Sequence, residues 1–165
     1  VDRQWNGDVI GSFREPPDAL GAGVGSGRPD HSSKLLSNGS VMEPGSGNLP
    51  LDVLIVEDDL IIAIDFEDRI LSFGALRVRT VGTVAAALAA IAERAPDFAL
   101  LDVELVRETS FAIAERLDAL DIPFAFVTGH GAEIRLPPPF AGRPRLPKPC
   151  LSEMLEAALR QRPSG

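Results

Sequence analysis

Apolar positions along this chain follow two rhythms in turn, short dense runs and longer stretches with a helical repeat. Leu51–Val56 is a dense run that ends in three acids, Glu57-Asp58-Asp59, and reads as a strand. In the stretch from Leu60 to Phe73, Ile62, Phe66, Ile70 and Phe73 fall on one helical face, and Gly74 suits a left-handed cap. Leu76–Val81 alternates apolar and basic residues, which predicts a strand at a sheet edge with Arg77 and Arg79 on a solvated face. Thr83 is placed to cap an alanine-rich helix that Pro96-Asp97 breaks. Phe98-Ala99-Leu100-Leu101 is apolar throughout, as in a strand buried on both faces, and it ends in Asp102. Thr109 or Ser110 caps a third helix through about Ala119, and Ile122–Thr128 is a fourth strand. Beyond Gly129-His130-Gly131 the prolines between Leu136 and Pro149 leave room for a turn of helix near Ala132–Arg135. Arg145–Pro147 reads as a short last strand. Leu151–Arg162 reads as a closing helix with Leu151, Leu155, Ala158 and Leu159 on one face.

Strands alternating with helices imply βαβ units, hence a parallel sheet covered on both sides. The expected fold is a three-layer, doubly wound α/β domain of about five strands, its fourth helix short or absent. It spans residues 51–165. Residues 1–50 are rich in Gly, Pro and Ser without sustained periodicity, and they read as a disordered tail; Met42 offers an alternative start. Leu60, Ala63 and Ile64 lie off the core face of the first helix, either widening the core stripe or forming a surface on which a partner docks.

Composition narrows the function classes. The 165 residues suffice for one domain with a real core. A net charge of −8 disfavours nonspecific binding to nucleic acid or to an anionic membrane. No apolar run is long enough to cross a bilayer, and the start lacks a signal-peptide pattern. Cys150 is the single cysteine, which excludes an internal disulfide framework and fits a cytoplasmic setting. The thiol reads as a small buried residue at the last helix.

The chemistry gathers at strand ends. In a doubly wound sheet whose winding reverses between strands one and three, the carboxyl ends of strands one, three, four and five meet in one crevice. Those ends carry Glu57 and Asp58, Asp102, Thr128, and Lys148. Clustered carboxylates repel one another and call for a cation, and hard oxygen ligands suit Mg²⁺. An aspartate so neutralised can attack a phosphoryl donor. Lys148 would then stabilise the moving phosphoryl oxygens, and the Thr128 hydroxyl would donate to the product. Taken singly these residues have plainer readings, an acidic first turn for the acids and a turn former for Thr128.

Val56-Glu57-Asp58-Asp59, Leu101-Asp102, Val127-Thr128-Gly129 and Leu146-Pro147-Lys148-Pro149 together resemble the receiver domain of two-component response regulators over roughly residues 51–162. The resemblance implies a flavodoxin-like strand order 2-1-3-4-5 and a phosphoryl group carried on Asp102. It also implies Mg²⁺ held by Glu57, Asp58, Asp102 and the Glu104 carbonyl, with Thr128 and Lys148 as the responding pair. The implied partner is a histidine kinase or a histidine phosphotransfer protein. Glu108-Thr109-Ser110-Phe111 and Pro123–Gly131 look like the FATGUY subfamily, often stand-alone receivers. Two positions depart from the pattern. His130 stands where that subfamily has an aromatic, and Arg145 where receivers carry Tyr or Phe three residues before the lysine. His130 reads as a rim residue that, with Glu104, tunes hydrolysis. Nothing that looks like an output domain follows the last helix, so a stand-alone receiver is the leading expectation. The rivals are a pseudo-receiver that binds partners without phosphorylation and an aspartate-nucleophile phosphatase of the haloacid dehalogenase type.

Overall fold

The structure, a computed structural model, describes residues 9–14, 49–129 and 135–161. These belong to one of the two units into which the chain divides, residues 1–15 with 47–165; the other, residues 16–46, lies outside the described residues.

In chain order the elements are strand β1 (Ile10–Phe13), β2 (Asp52–Val56), helix α1 (Leu60–Phe73), β3 (Arg77–Val81), α2 (Val84–Glu93) and β4 (Phe98–Asp102). A small hairpin follows, β5 (Glu104–Leu105) with β6 (Glu108–Thr109). Then come α3 (Phe111–Ala119), β7 (Phe124–Thr128), a 3-10 turn at Pro138–Phe140, β8 (Arg145–Pro147) and α4 (Ser152–Arg160). The main sheet runs β1-β3-β2-β4-β7-β8, and the last five strands of that order are mutually parallel. Counting β2 as the first strand, this is the order 2-1-3-4-5.

Alternation within the strands sorts the core onto two faces. Leu54, Val56, Leu101, Phe124 and Phe126 pack with Ile91 of α2, Ile113 and Leu117 of α3, and Phe140. Val53, Ile55, Leu100 and Val127 pack with Phe66 and Ile70 of α1 and Leu155 and Leu159 of α4. A period of two sends neighbours to opposite layers, which is why Val53–Val56, Phe98–Leu101 and Phe124–Val127 of the central strands are apolar at successive positions. Phe124, Phe126 and Phe140 meet edge to face at centroid separations of 5.5–6.0 Å.

Local signals set the helix ends. The Asp59 carboxylate accepts from the Ile61 and Ile62 amides and starts α1, and Gly74 ends it at φ 112°. Thr83 Oγ1 accepts from the Ala86 amide at 3.2 Å and starts α2. Ser110 takes the cap position of α3, but its side chain makes no capping bond.

The five expected parallel strands are present. To them Ile10–Phe13, inside the segment read as a disordered tail, adds a sixth that pairs antiparallel with β3. Four expectations are corrected. The added strand displaces β3 from the sheet edge. Four residues are too few to register as a period, and the partner that holds them lies 70 positions away in the Ile10–Thr80 pairing. Arg79 is not solvated; it is buried, bonding Asp52 Oδ1 at 3.1 Å and the Ala90 and Arg94 carbonyls at 2.9 Å each. Those carbonyls lie at the carboxyl end of α2, the negative end of the helix dipole, where a cation is favoured. Ala63 belongs to the core, whereas Ile61 and Ile64 are the exposed apolar residues of α1. Leu151 is exposed and precedes α4 rather than joining its buried face. Between β7 and β8 the described helical content is the 3-10 turn, and residues 130–134, with His130 and most of the turn expected at 132–135, lie outside the described residues.

Candidate functional site

Parallel strands bring their carboxyl ends to one edge of the sheet, and the register decides which side chains meet there. Val56 is level with Leu101, Asp102 with Val127, and Thr128 with Pro147. Hence the residues just past β2, at the end of β4 and β7, and just past β8 share one crevice. The backbone closes it: the Glu57 amide donates to the Val81 carbonyl at 3.0 Å, Val103 to Val127 at 3.1 Å, and Lys148 to Thr128 at 2.8 Å.

Four of the six expected site residues come together by side chain. Carboxylate oxygens of Glu57, Asp58 and Asp102 all lie within 4.8 Å of one another. Lys148 Nζ reaches in from the far edge, donating to Asp102 Oδ2 at 2.6 Å and pairing with Glu57 Oε2 at 2.6 Å. The other Asp102 oxygen, Oδ1, accepts from the Glu104 amide at 3.2 Å. Glu104 therefore meets the site through its backbone, with its side chain exposed and outside the acidic cluster. Thr128 is half-buried one register step past Val127, the partner of Asp102. Asp59, the third acid of its run, serves as the helix cap, and its own amide donates to Glu57 Oε1 at 3.2 Å.

The electrostatics are those of a site short of positive charge. Glu57 is buried, and that desolvation, with the Asp102 charge beside it, pushes its carboxyl up to about 7 despite the bond to Lys148. Burial pulls the Lys148 ammonium down, but its bonds to Asp102 and Glu57 and their charges outweigh this and raise it above the usual lysine range. Among the described residues, one ammonium faces the cluster of three carboxylates. Hard oxygen donors clustered this closely, with charge to spare after Lys148, fit a divalent cation.

Sequence reasoning missed the residues that hold this arrangement. Arg69, half-buried on α1, donates to the Cys150 carbonyl at 2.5 Å and so ties α1 to the segment that carries Lys148. Cys150 is buried, and burial pushes its thiol up. Beside Lys148 a groove of about 510 Å³ opens between α1 and the β8–α4 connection, lined by Ile61, Ile62, Asp65, Pro149 and Cys150 among others. The hairpin Glu104–Thr109 left no pattern beyond alternation. No helix among the described residues is long and apolar enough to cross a membrane.

No protein-family model matches the chain, and no curated protein does. Solved structures do. The chain is similar to SdrG from Sphingomonas melonis Fr1 at 41% identity and a TM-score of 0.58, covering 66% of this chain and 94% of that one. It is similar to the receiver domain of NtrX from Brucella abortus at 27% identity and a TM-score of 0.58, covering 67% of this chain and 99% of that one. A response regulator described as putative, from Chloroflexus aurantiacus J-10-fl, shares the fold at 24% identity and a TM-score of 0.59, covering 68% of this chain and 99% of that one.

Proposed function

We propose that this chain, which belongs to the response regulator receiver family, accepts a phosphoryl group on Asp102 from a phosphohistidine and relays the signal by passing the group on or by binding a partner. The observation that carries the reading is the contact of Lys148 Nζ with Asp102 Oδ2 at 2.6 Å beside the Glu57–Asp58–Asp102 cluster. Isolated, each of these residues is unremarkable chemically; assembled, they hold a carboxylate oriented and a cation beside the oxygen that receives the charge.

Each residue has a distinct part. Asp102 attacks phosphorus with a carboxylate oxygen, a new P–O bond forms, and the bond to the donor breaks, returning histidine or, from acetyl phosphate, acetate. Lys148 stays bonded to Asp102 and balances the added negative charge. The Glu104 amide fixes the carboxylate plane through Oδ1. Thr128 stands where its hydroxyl can bond a phosphoryl oxygen. Glu57, Asp58 and Asp102, with the Glu104 carbonyl, are the residues that would hold Mg²⁺, which supplies charge neutralisation to the moving phosphoryl group when bound. These are self-catalysed steps on one carboxylate, not turnover of a free substrate.

The FATGUY-like reading rests on the sequence Glu108–Phe111 and the stretch around Thr128. Arg145 is exposed on β8 where many receivers carry a switching aromatic, which supports a second reading in which partners bind without phosphorylation. One experiment separates the two. Incubation with Mg²⁺ and acetyl phosphate, followed by intact mass, is expected to show a single added phosphoryl group of about 80 Da that Asp102→Asn abolishes. An unchanged mass in the wild-type protein removes the phosphoacceptor role.

A further inference from the structure

The hairpin β5–β6 begins at the residue whose amide holds Asp102, and it is fastened at its other strand to a different helix. Glu104 pairs with Thr109, and Leu105 with Glu108. Glu108 Oε1 accepts the Val84 amide at 2.8 Å. Val84 is the first residue of α2, so its amide has no partner within the helix and lies at the positive end of the helix dipole. Thr83 already serves the Ala86 amide, so α2 takes a second cap from 24 residues further along the chain. At the hairpin base the Leu105 side chain is buried, the Ser110 amide donates to the Val103 carbonyl, and the Val103 amide donates to the Val127 carbonyl, so the base is anchored to the sheet while Glu108 is the tie from the second strand to α2.

We propose that Glu108 is a positioning residue: by fastening the hairpin to the start of α2, it sets where the Glu104 backbone stands against Asp102. The inference rests on the metal-dependent function proposed above, in which the Glu104 carbonyl completes the cation site. A two-residue ladder is too short to hold its own orientation. With the Glu108 bond in place, the hairpin moves with α2 and the Glu104 amide and carbonyl are fixed together. Without it, the hairpin pivots about Leu105. Both the bond to Asp102 Oδ1 and the carbonyl position then spread over a range.

The test compares the full chain with Glu108→Ala and Glu108→Gln by Mg²⁺ titration calorimetry and by amide hydrogen exchange of the metal-free protein. Glu108→Ala is expected to weaken Mg²⁺ binding about three- to tenfold, at or below the low end for groups that orient metal ligands because the bond is exposed. It should also speed exchange at Val84, Glu104 and Leu105. Glu108→Gln keeps an acceptor oxygen and is expected to recover most of the affinity, which general destabilisation would not allow. A wild-type chain that takes no Mg²⁺ overturns the function proposed above and this inference with it. A wild-type chain that binds Mg²⁺, beside a Glu108→Ala variant that binds it equally and exchanges no faster, overturns this inference alone.

Discussion

At the scale of single residues, Glu57 carries the clearest consequence. Its carboxyl titrates at about 7 when folded and 4.5 when not. A carboxylic acid raised on folding contributes stability below the unfolded value and loses it as pH rises through the folded one. The metal-free domain is therefore expected to weaken between pH 4.5 and about 7, by on the order of 3 kcal/mol, as the buried carboxyl ionises. A bound cation reverses the sign, because it needs the carboxylate. Mg²⁺ affinity should climb up to about tenfold per pH unit below about pH 7 and level off above it. Denaturation across this range with and without Mg²⁺ measures both limbs, and Glu57→Gln is expected to flatten the first. A metal-free stability that holds constant across the range would contradict the burial of an acid so placed. Trp5 is the only tryptophan and lies outside the described residues, so circular dichroism serves as the probe.

At the scale of elements, β1 and α1 each make a distinct prediction. Strand β1 seals the β3 edge with a four-residue ladder, and Arg77 lies 5.5 Å from the Phe13 ring centroid. Ser12 adds a hydrogen bond to Glu67 on α1. Removing residues 1–14 is expected to cost about 1–2 kcal/mol and to speed amide exchange in β3, while phosphorylation of Asp102 proceeds as before. Denaturation midpoints equal to those of the full chain would show that the strand adds nothing. On α1 the exposed Ile61 lines the groove beside Lys148, and Ile64, three residues on, is exposed as well. Ile64→Ala is expected to slow phosphotransfer from a cognate kinase about three- to tenfold with no loss of folding stability, because a half-exposed side chain leaves no cavity. Equal transfer rates, measured with radiolabelled phosphate, would remove α1 as a docking element.

At the scale of the whole molecule, five parallel strands of one register bring four distant stretches to a single crevice. Legibility followed range. Helix α1 could be read end to end, because its cap Asp59, its apolar period and its closing glycine are all local. The parallel, two-sided sheet followed from the alternation of strands and helices, and the order 2-1-3-4-5 from the resemblance to receiver domains. Glu57, Asp58, Asp102 and Lys148 were legible as a group because each sits at a strand end, and strand ends are where a run of apolar residues stops. Arg79 was misread because its alternation looks solvated. The Asp52 carboxylate and the α2 carbonyls that bury it come from other elements. Strand β1, Glu108 and Arg69 were illegible for the same reason: their partners are 24 to 81 residues away.

The sequence by itself determined the helices and the five parallel strands, the layers, and the residue types that collect at one edge of the sheet, since propensity, capping and hydrophobic period act over a few residues. Only the tertiary structure decided that Lys148 touches both Glu57 and Asp102, that a sixth strand closes the β3 edge, and that a hairpin is pinned to α2. Hydrogen bonds and ion pairs depend on ångström-scale placement of groups far apart in the chain, and no local pattern carries that information.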